Sequence, residues 1–427
     1  NWWGNGVYID FASGNWAEGL TSYLADHLLK EQRGEGANYR RDALQKYADY
    51  VSEQKEFPLN EFRGRHSQAS QAIGYGKVMM FFHQLRQQLG DKTFVDGLRL
   101  FYRDNRFTVA GYQQLREALE QVSDKDLSPM FEQWLKRTGA PELEITAANV
   151  TRDKGIYELS LQLTQRQADD AFVLSIPVWV KTESEAGPHM ERIEMTSKQQ
   201  VFTIGLDKRP LALAVDPQFD VFRRLHDSEI PSSMGQLFAA DNVLIVLSSG
   251  EQQKMTEAYS RLAMNWTANR PGSEVVSDNQ IRQLPQDRMV WLFGQHNRFV
   301  NRLASLADSN QLSVNADSLS IGGNDYDLKT HSYAITVSNI GKSAALTRQT
   351  TGWLSADSAD SLTGMARKLP HYGKYSYLVF RGEQPVNVLK GQWDTSNSAL
   401  RLTLSDKPPQ IDMRLPLARA LSELSSQ

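Results

Sequence analysis

Two side chains near the start of the sequence carry the chemistry it offers: Glu18, in "NWAEGLTSYLADHL", and Tyr75, in "QAIGYGKVMMFF". Trp16, Leu20, Tyr23, Leu24 and Leu28 recur at helical spacing, which puts Glu18 on the first turns of a helix. An acid placed there complements the positive end of the helix dipole. Tyr75 precedes a second apolar helical run, Val78, Met79, Phe82 and Leu85. A phenol in that position either packs into a core or donates a neutral hydrogen bond to a developing oxyanion. Residue types alone leave both readings open.

Elsewhere the signals are thinner. "SNIGKSAAL" follows an apolar strand and precedes a helical run, yet Thr336 stands where a phosphate-binding loop needs glycine five residues before Gly341. Gly341 therefore reads as a strand-to-helix turn. "RKLPHYGKYSYLVF" groups His371, Tyr372, Lys374 and Tyr375 with no acid or second histidine at ligand spacing, and reads as a solvated turn before a buried strand. The sequence has no cysteine, which excludes disulfides, thiolate ligands and thiol nucleophiles without fixing the compartment.

These residues need a scaffold, and 427 residues are too many for one ordinary core. A net charge of -3 and a pI near 6.3 argue against nucleic acid or an anionic membrane as the main partner. No run of about 18 apolar residues is present to span a bilayer. Residues 1–140 read as helical, with Asp91 and Thr108 as N-caps and Gly90 and Gly139 at helix ends. Residues 141–225 switch to strand patterns ("YELSLQL", "FVLSIPVWV", "VFTIGL") and read as a small antiparallel β-sandwich. From 236 to 427, short apolar strands alternate with helix-like stretches, which predicts an α/β accessory domain with a mostly parallel sheet.

The ordered set "NWWGNGVYID…GNWAEGLTSYLADHL" resembles the gluzincin zinc peptidases of the aminopeptidase N family. Members carry an HExxH helix, an aromatic-Gly-Asn turn, and a later "W-x-x-E-G" helix that supplies a third zinc ligand. Asn1, Trp2, Trp3, Gly4 and Asn5 resemble the residues that follow the second histidine of that motif; Trp16, Glu18 and Gly19 resemble the third-ligand helix. On this resemblance the sequence begins one residue after the metal-binding helix. Then 17 residues, rather than the usual 18, separate that histidine from Glu18, a deletion the loop around Ala12 to Gly14 can absorb. None of the eight histidines is followed by Glu, and the glycine-rich motif that binds a substrate's free amine in this family is absent. Tyr75, 57 residues after Glu18, and Lys77 resemble the family's "Y-x-K-G" helix, with Val78 in place of its glycine. "DLSPMFEQWLKRTGAPEL" follows in family order, and the resemblance extends to about residue 220.

The resemblance implies a thermolysin-like catalytic domain, of which residues 1–140 form the helical part. It implies one zinc ion held by two histidines outside this sequence and by Glu18, with Tyr75 stabilising the oxyanion as activated water attacks a peptide carbonyl. Peptides would be the substrates, cleaved at their N-termini, and the 427 residues alone would be inactive. The apolar side of Trp2, Trp3 and Trp16 would then lie open to solvent. Two other readings stand beside this one. One is a glycyl aminopeptidase-like gluzincin, which shares the shorter spacing but not the "WWGN" turn. The other is a peptidase-derived binding or scaffold protein with a decayed metal site.

Overall fold

The computed structural model describes residues 2–184, 187–306, 312–315, 317–339, 349–395 and 398–405; Asn1 and the Gly341 turn lie outside them. The chain forms two compact units, divided between His226 and Asp227, and the stretch around Leu400–Thr403 returns to the first unit.

The first unit opens with a two-residue strand, β1 (Tyr8–Ile9), paired in parallel with β2 (Val109–Ala110). Between them lie helices α1 (Ala17–Ser22), α2 (Leu28–Gln32), α3 (Gly36–Tyr50), α4 (Gln68–Gln71), α5 (Val78–Leu89) and α6 (Asp91–Asn105). Helices α7 (Tyr112–Ser123) and α8 (Ser128–Lys136) follow. Two π-helical turns interrupt the regular geometry: Tyr23–His27 joins α1 to α2, and Ala72–Lys77 joins α4 to α5. Such turns recur where a side chain must be re-aimed.

Neither expected N-cap residue holds the N-cap position of a helix. Gly90, at φ 81°, ends α5 and begins α6, a backbone angle that suits glycine. Asp91 is the first helical residue, and its carboxylate takes the Arg86 guanidinium at 2.7 Å. Thr108 precedes strand β2, so Gly111 starts α7.

Two antiparallel sheets complete the first unit. One runs β3 (Leu143–Asp153), β4 (Ile156–Gln165) and β7 (Gln199–Leu206). The other contains β5 (Leu174–Thr182), β6 (His189–Met195) and β8 (Pro210–Val215). Leu159, Leu161 and Leu163 are buried at alternate positions of β4, the pattern of a sheet with one inner face, whereas β5 is buried without a break from Ile176 to Val180. A late strand, Arg401–Thr403, pairs antiparallel with β8 at the sheet edge, so this stretch of the sequence serves the first unit rather than the α/β domain.

The second unit is built on a seven-stranded sheet. Strands β9 (Val243–Leu247), β10 (Glu274–Ser277) and β11 (Met289–Phe293) run parallel, and β11 continues in parallel to the strand Gln349–Ser355. The remaining three pairings, through His331–Asn339, Tyr377–Arg381 and Val386–Gly391, are antiparallel. The expectation of a mostly parallel sheet is corrected to a mixed one. Apolar runs such as "YSYLVF" report burial on both faces, which a central antiparallel strand satisfies as well as a parallel one. The sheet separates two apolar clusters, one around Trp291, Phe293 and Tyr259, the other around Trp353, Tyr333 and Val379.

Candidate active site

Glu18 sits on the first turn of α1 and is half-buried. What holds the helix start is Trp16, fully buried, whose indole N–H donates to the Ala110 carbonyl at 2.9 Å. Trp3 and Phe101 pack edge-on against the Trp16 ring at 5.9 and 5.2 Å. The loop before it is fixed by Asn15, whose backbone N–H donates to Phe62 O at 2.8 Å. Of the face expected to lie open, Trp16 is buried and Trp3 half-buried; Trp2, 65% exposed, is the open member, with Tyr8 and Phe11 nearby in sequence.

Tyr75 lies in the π-helical turn Ala72–Lys77 and is also half-buried. Its ring meets the edge of Phe62 at 6.0 Å. Phe62 fills the space where a Cβ on Gly74 would stand, so glycine is what allows the wedge. Lys77 anchors the turn from the other side. It is fully buried, and its ammonium reaches Glu56 Oε1 at 3.3 Å and the carbonyls of Arg137 and Gly139 at 3.3 and 3.0 Å. Lys77 thus acts as a fastener for the segment that presents Tyr75.

The two predicted residues meet. Burial raises the pKa of Tyr75, and the charge of Glu18 and a hydrogen bond to its carboxylate raise it further. The phenol therefore stays protonated beside the Glu18 carboxylate. Close approach of α1 to α5 makes this meeting geometrically feasible: a Cβ on Gly19 would overlap the Val78 side chain. The bulk of Val78, where the resembled motif has glycine, is thus matched by the glycine beside Glu18. Gly19→Ala is expected to destabilise this unit by about 1–3 kcal/mol, the cost of overpacking. Adding Val78→Gly should recover part of that loss in urea unfolding; a neutral Gly19→Ala would show that the helices separate without strain.

Glu18 belongs to no group of three or more potential metal ligands among the described residues. The one such group is His27, Glu31 and His83, whose ligand atoms lie within 4.8 Å of one another. Sequence reasoning passed over it, although His27 and Glu31 stand four apart on one helix face. Two guanidiniums already fill it. Arg40 reaches His27 Nε2 at 2.8 Å and Glu31 at 3.6 Å, and Arg86 reaches the other Glu31 oxygen at 2.5 Å. With Glu31 held by two cations, the cluster is an ion-pair network and not a vacant metal site. It continues through His83 Nε2, which donates to Asp220 Oδ1 at 2.8 Å, and Tyr23, whose hydroxyl lies 3.3 Å from His83 Nδ1.

Residues 1–134 match the Peptidase family M1 domain. This region is similar to peptidase family M1 domains. Over 310 residues the chain is 22% identical to mitochondrial Aminopeptidase 2 of Saccharomyces cerevisiae, a match covering 68% of this chain and 32% of the yeast protein. Over 135 residues it is 29% identical to Aminopeptidase N of Lactococcus lactis subsp. lactis, covering 31% of this chain and 15% of that protein. The crystal structure of Legionella pneumophila aminopeptidase A in complex with aspartic acid aligns with a TM-score of 0.34 at 15% identity, covering 60% of this chain and 30% of that one. The chain thus spans at most about a third of the length of these relatives. The M1 match contains both Glu18 and Tyr75.

Proposed function

We propose that this chain is part of a zinc-dependent M1 aminopeptidase, in which Glu18 is one zinc ligand and Tyr75 the oxyanion donor. The observation that carries the reading is the placement of the Tyr75 phenol beside the Glu18 carboxylate, inside the region that matches the M1 domain. A catalytic zinc takes three protein ligands. Glu18 provides one, so the residues of this chain do not make the site alone. When bound, zinc supplies Lewis-acid activation of water and of the substrate carbonyl. Glu18 contributes an anionic oxygen held in place by the Trp16 anchor. Tyr75 contributes a neutral O–H that can turn from Glu18 to a carbonyl oxygen gaining charge. Both groups can serve one reacting atom because the phenol already stands beside the carboxylate. On this reading the two antiparallel sheets and the α/β unit are accessory domains of the peptidase.

The test compares two proteins. The 427-residue chain should bind zinc negligibly and cleave no aminoacyl reporter, because metal affinity needs several deprotonated ligands held together. A protein extended upstream through an HExxH helix and an amine-binding region should carry zinc and cleave the reporter. Chelation should abolish its activity and added zinc restore it. An extended protein with HExxH but neither zinc nor hydrolysis would overturn the proposal in favour of a decayed site.

A further inference from the structure

A cavity of about 540 Å3 lies between the carboxy-terminal half of α5, helix α8 with the loop before it, and strands β5 and β6. Its lining includes neither Glu18 nor Tyr75. The volume is that of a small-molecule site.

One wall is apolar, built from Pro129, Met130 and Trp134 of α8 and from Val173. This wall is pinned: Gln133 donates to Val173 O at 3.0 Å and accepts from Val173 N–H at 2.8 Å. Charges of both signs face it. Arg192 and Glu194 come from β6, and Asp220 closes the cavity with a carboxylate already engaged by Arg40 and His83. Arg192 donates to Ser175 O at 3.2 Å and Gln87 Oε1 at 3.0 Å, which orients the guanidinium. Two of its five N–H groups are used there, leaving others to meet a carboxylate. Gln84 lines the same cavity, and its amide nitrogen is buried without a partner among the described residues. An unpaired buried donor is costly, and a ligand oxygen would satisfy it.

Spacing selects the ligand. Residues two apart on a strand stand on one face roughly 6.6–6.8 Å apart. Arg192 and Glu194 therefore present a cation and an anion from one strand face into one cavity, from backbone positions about the span of two extended residues apart, roughly 7 Å. We propose that this cavity binds a dipeptide zwitterion, its carboxylate on Arg192 and Gln84, its ammonium on Glu194, and an apolar side chain against Met130 and Trp134. The proposal does not depend on the peptidase reading.

The test titrates the 427-residue chain with Gly-Leu by calorimetry, beside Gly-Leu amide and N-acetyl-Gly-Leu. Saturable binding is expected with a Kd of about 1 mM or tighter. Removing either ligand charge should weaken it about tenfold or more, as should Arg192→Gln and Glu194→Gln, the scale of one charge-assisted hydrogen bond. Gln84→Leu should also weaken binding without unfolding the protein earlier, since it deletes an unpaired donor. Glu18→Gln should leave binding unchanged. No saturable binding by the wild-type chain would overturn the proposal, as would binding indifferent to Arg192→Gln. Loss of binding with Glu18→Gln alone would place the ligand at the other site and overturn it too.

Discussion

Tyr75→Phe in the extended protein is expected to lower turnover by about 100- to 1000-fold, the scale for deleting one oxyanion donor, while zinc stays in place. Glu18→Gln is expected to release the metal. The two outcomes differ because the proposal gives the two side chains different work at one point in space. Tyr75 is proposed as a donor and not a ligand, and its ring is positioned by Phe62 against Gly74 and by Lys77 behind it. Removing only the hydroxyl leaves that packing intact. On the proposed reading Glu18 supplies negative charge to the ion, which a neutral amide would not. Losing a supporting hydrogen bond around a metal ligand already costs about 10- to 100-fold in affinity, so losing the ligand's charge should cost more. Metal content by mass spectrometry, measured beside hydrolysis, separates the cases. Full zinc in Glu18→Gln would remove Glu18 from the metal site, and normal turnover in Tyr75→Phe would remove Tyr75 from the chemistry.

The helical lobe was legible because its signals are local. Trp16, Leu20 and Tyr23 repeat at helical spacing, and all three are buried. The nearness of Glu18 to Tyr75 was not readable from periodicity, since 57 residues separate them; it came through the resemblance. The network around His83 left no comparable trace. Its partner Asp220 lies 137 residues away, and Arg40 takes the Gln218 carbonyl from 178 residues away. Asp216 orders that distant loop by accepting from the backbone of Asp220 and Val221 and from Arg223. Only the four-residue spacing of His27 and Glu31 hinted at a polar helix face. Strand direction in the α/β unit was illegible for another reason: an apolar run encodes burial but not orientation. The tight connection between Arg381 and Val386, which makes a hairpin, was the better local clue to antiparallel pairing.

Stability of the first unit is expected to fall steeply as pH drops below about 6.5. His27 and His83 are both fully buried, and burial lowers the pKa of each. His83 and the Arg40 and Arg86 guanidiniums push His27 down further; Arg40 does the same to His83 and, with burial, outweighs Asp220. The geometry agrees with neutral rings. His27 Nε2 lies against an Arg40 donor, and His83 has Nε2 toward Asp220 and Nδ1 toward the Tyr23 hydroxyl. In the unfolded chain both titrate near 6.5. Below that pH the unfolded state takes up protons the folded state refuses, so folding weakens as pH falls. Each histidine contributes about 1.4 kcal/mol per pH unit once well below its unfolded pKa, or roughly 2.7 for the pair. Asp220 adds loss of the same sign further down. Burial raises its pKa, but Arg40, His83 and Arg192 outweigh this and hold the carboxyl below the usual range. Its stabilisation is therefore complete above about pH 4 and lost below it. Hydrogen exchange of the α5 amides reads this unit separately from the α/β unit. Protection should drop between pH 7 and 5 after correction for intrinsic exchange rates. His27→Gln, which keeps an acceptor for Arg40 and does not titrate, should roughly halve the slope. Equal stability at both pH values would mean that the two rings accept protons in the folded state and that the network is not closed as described.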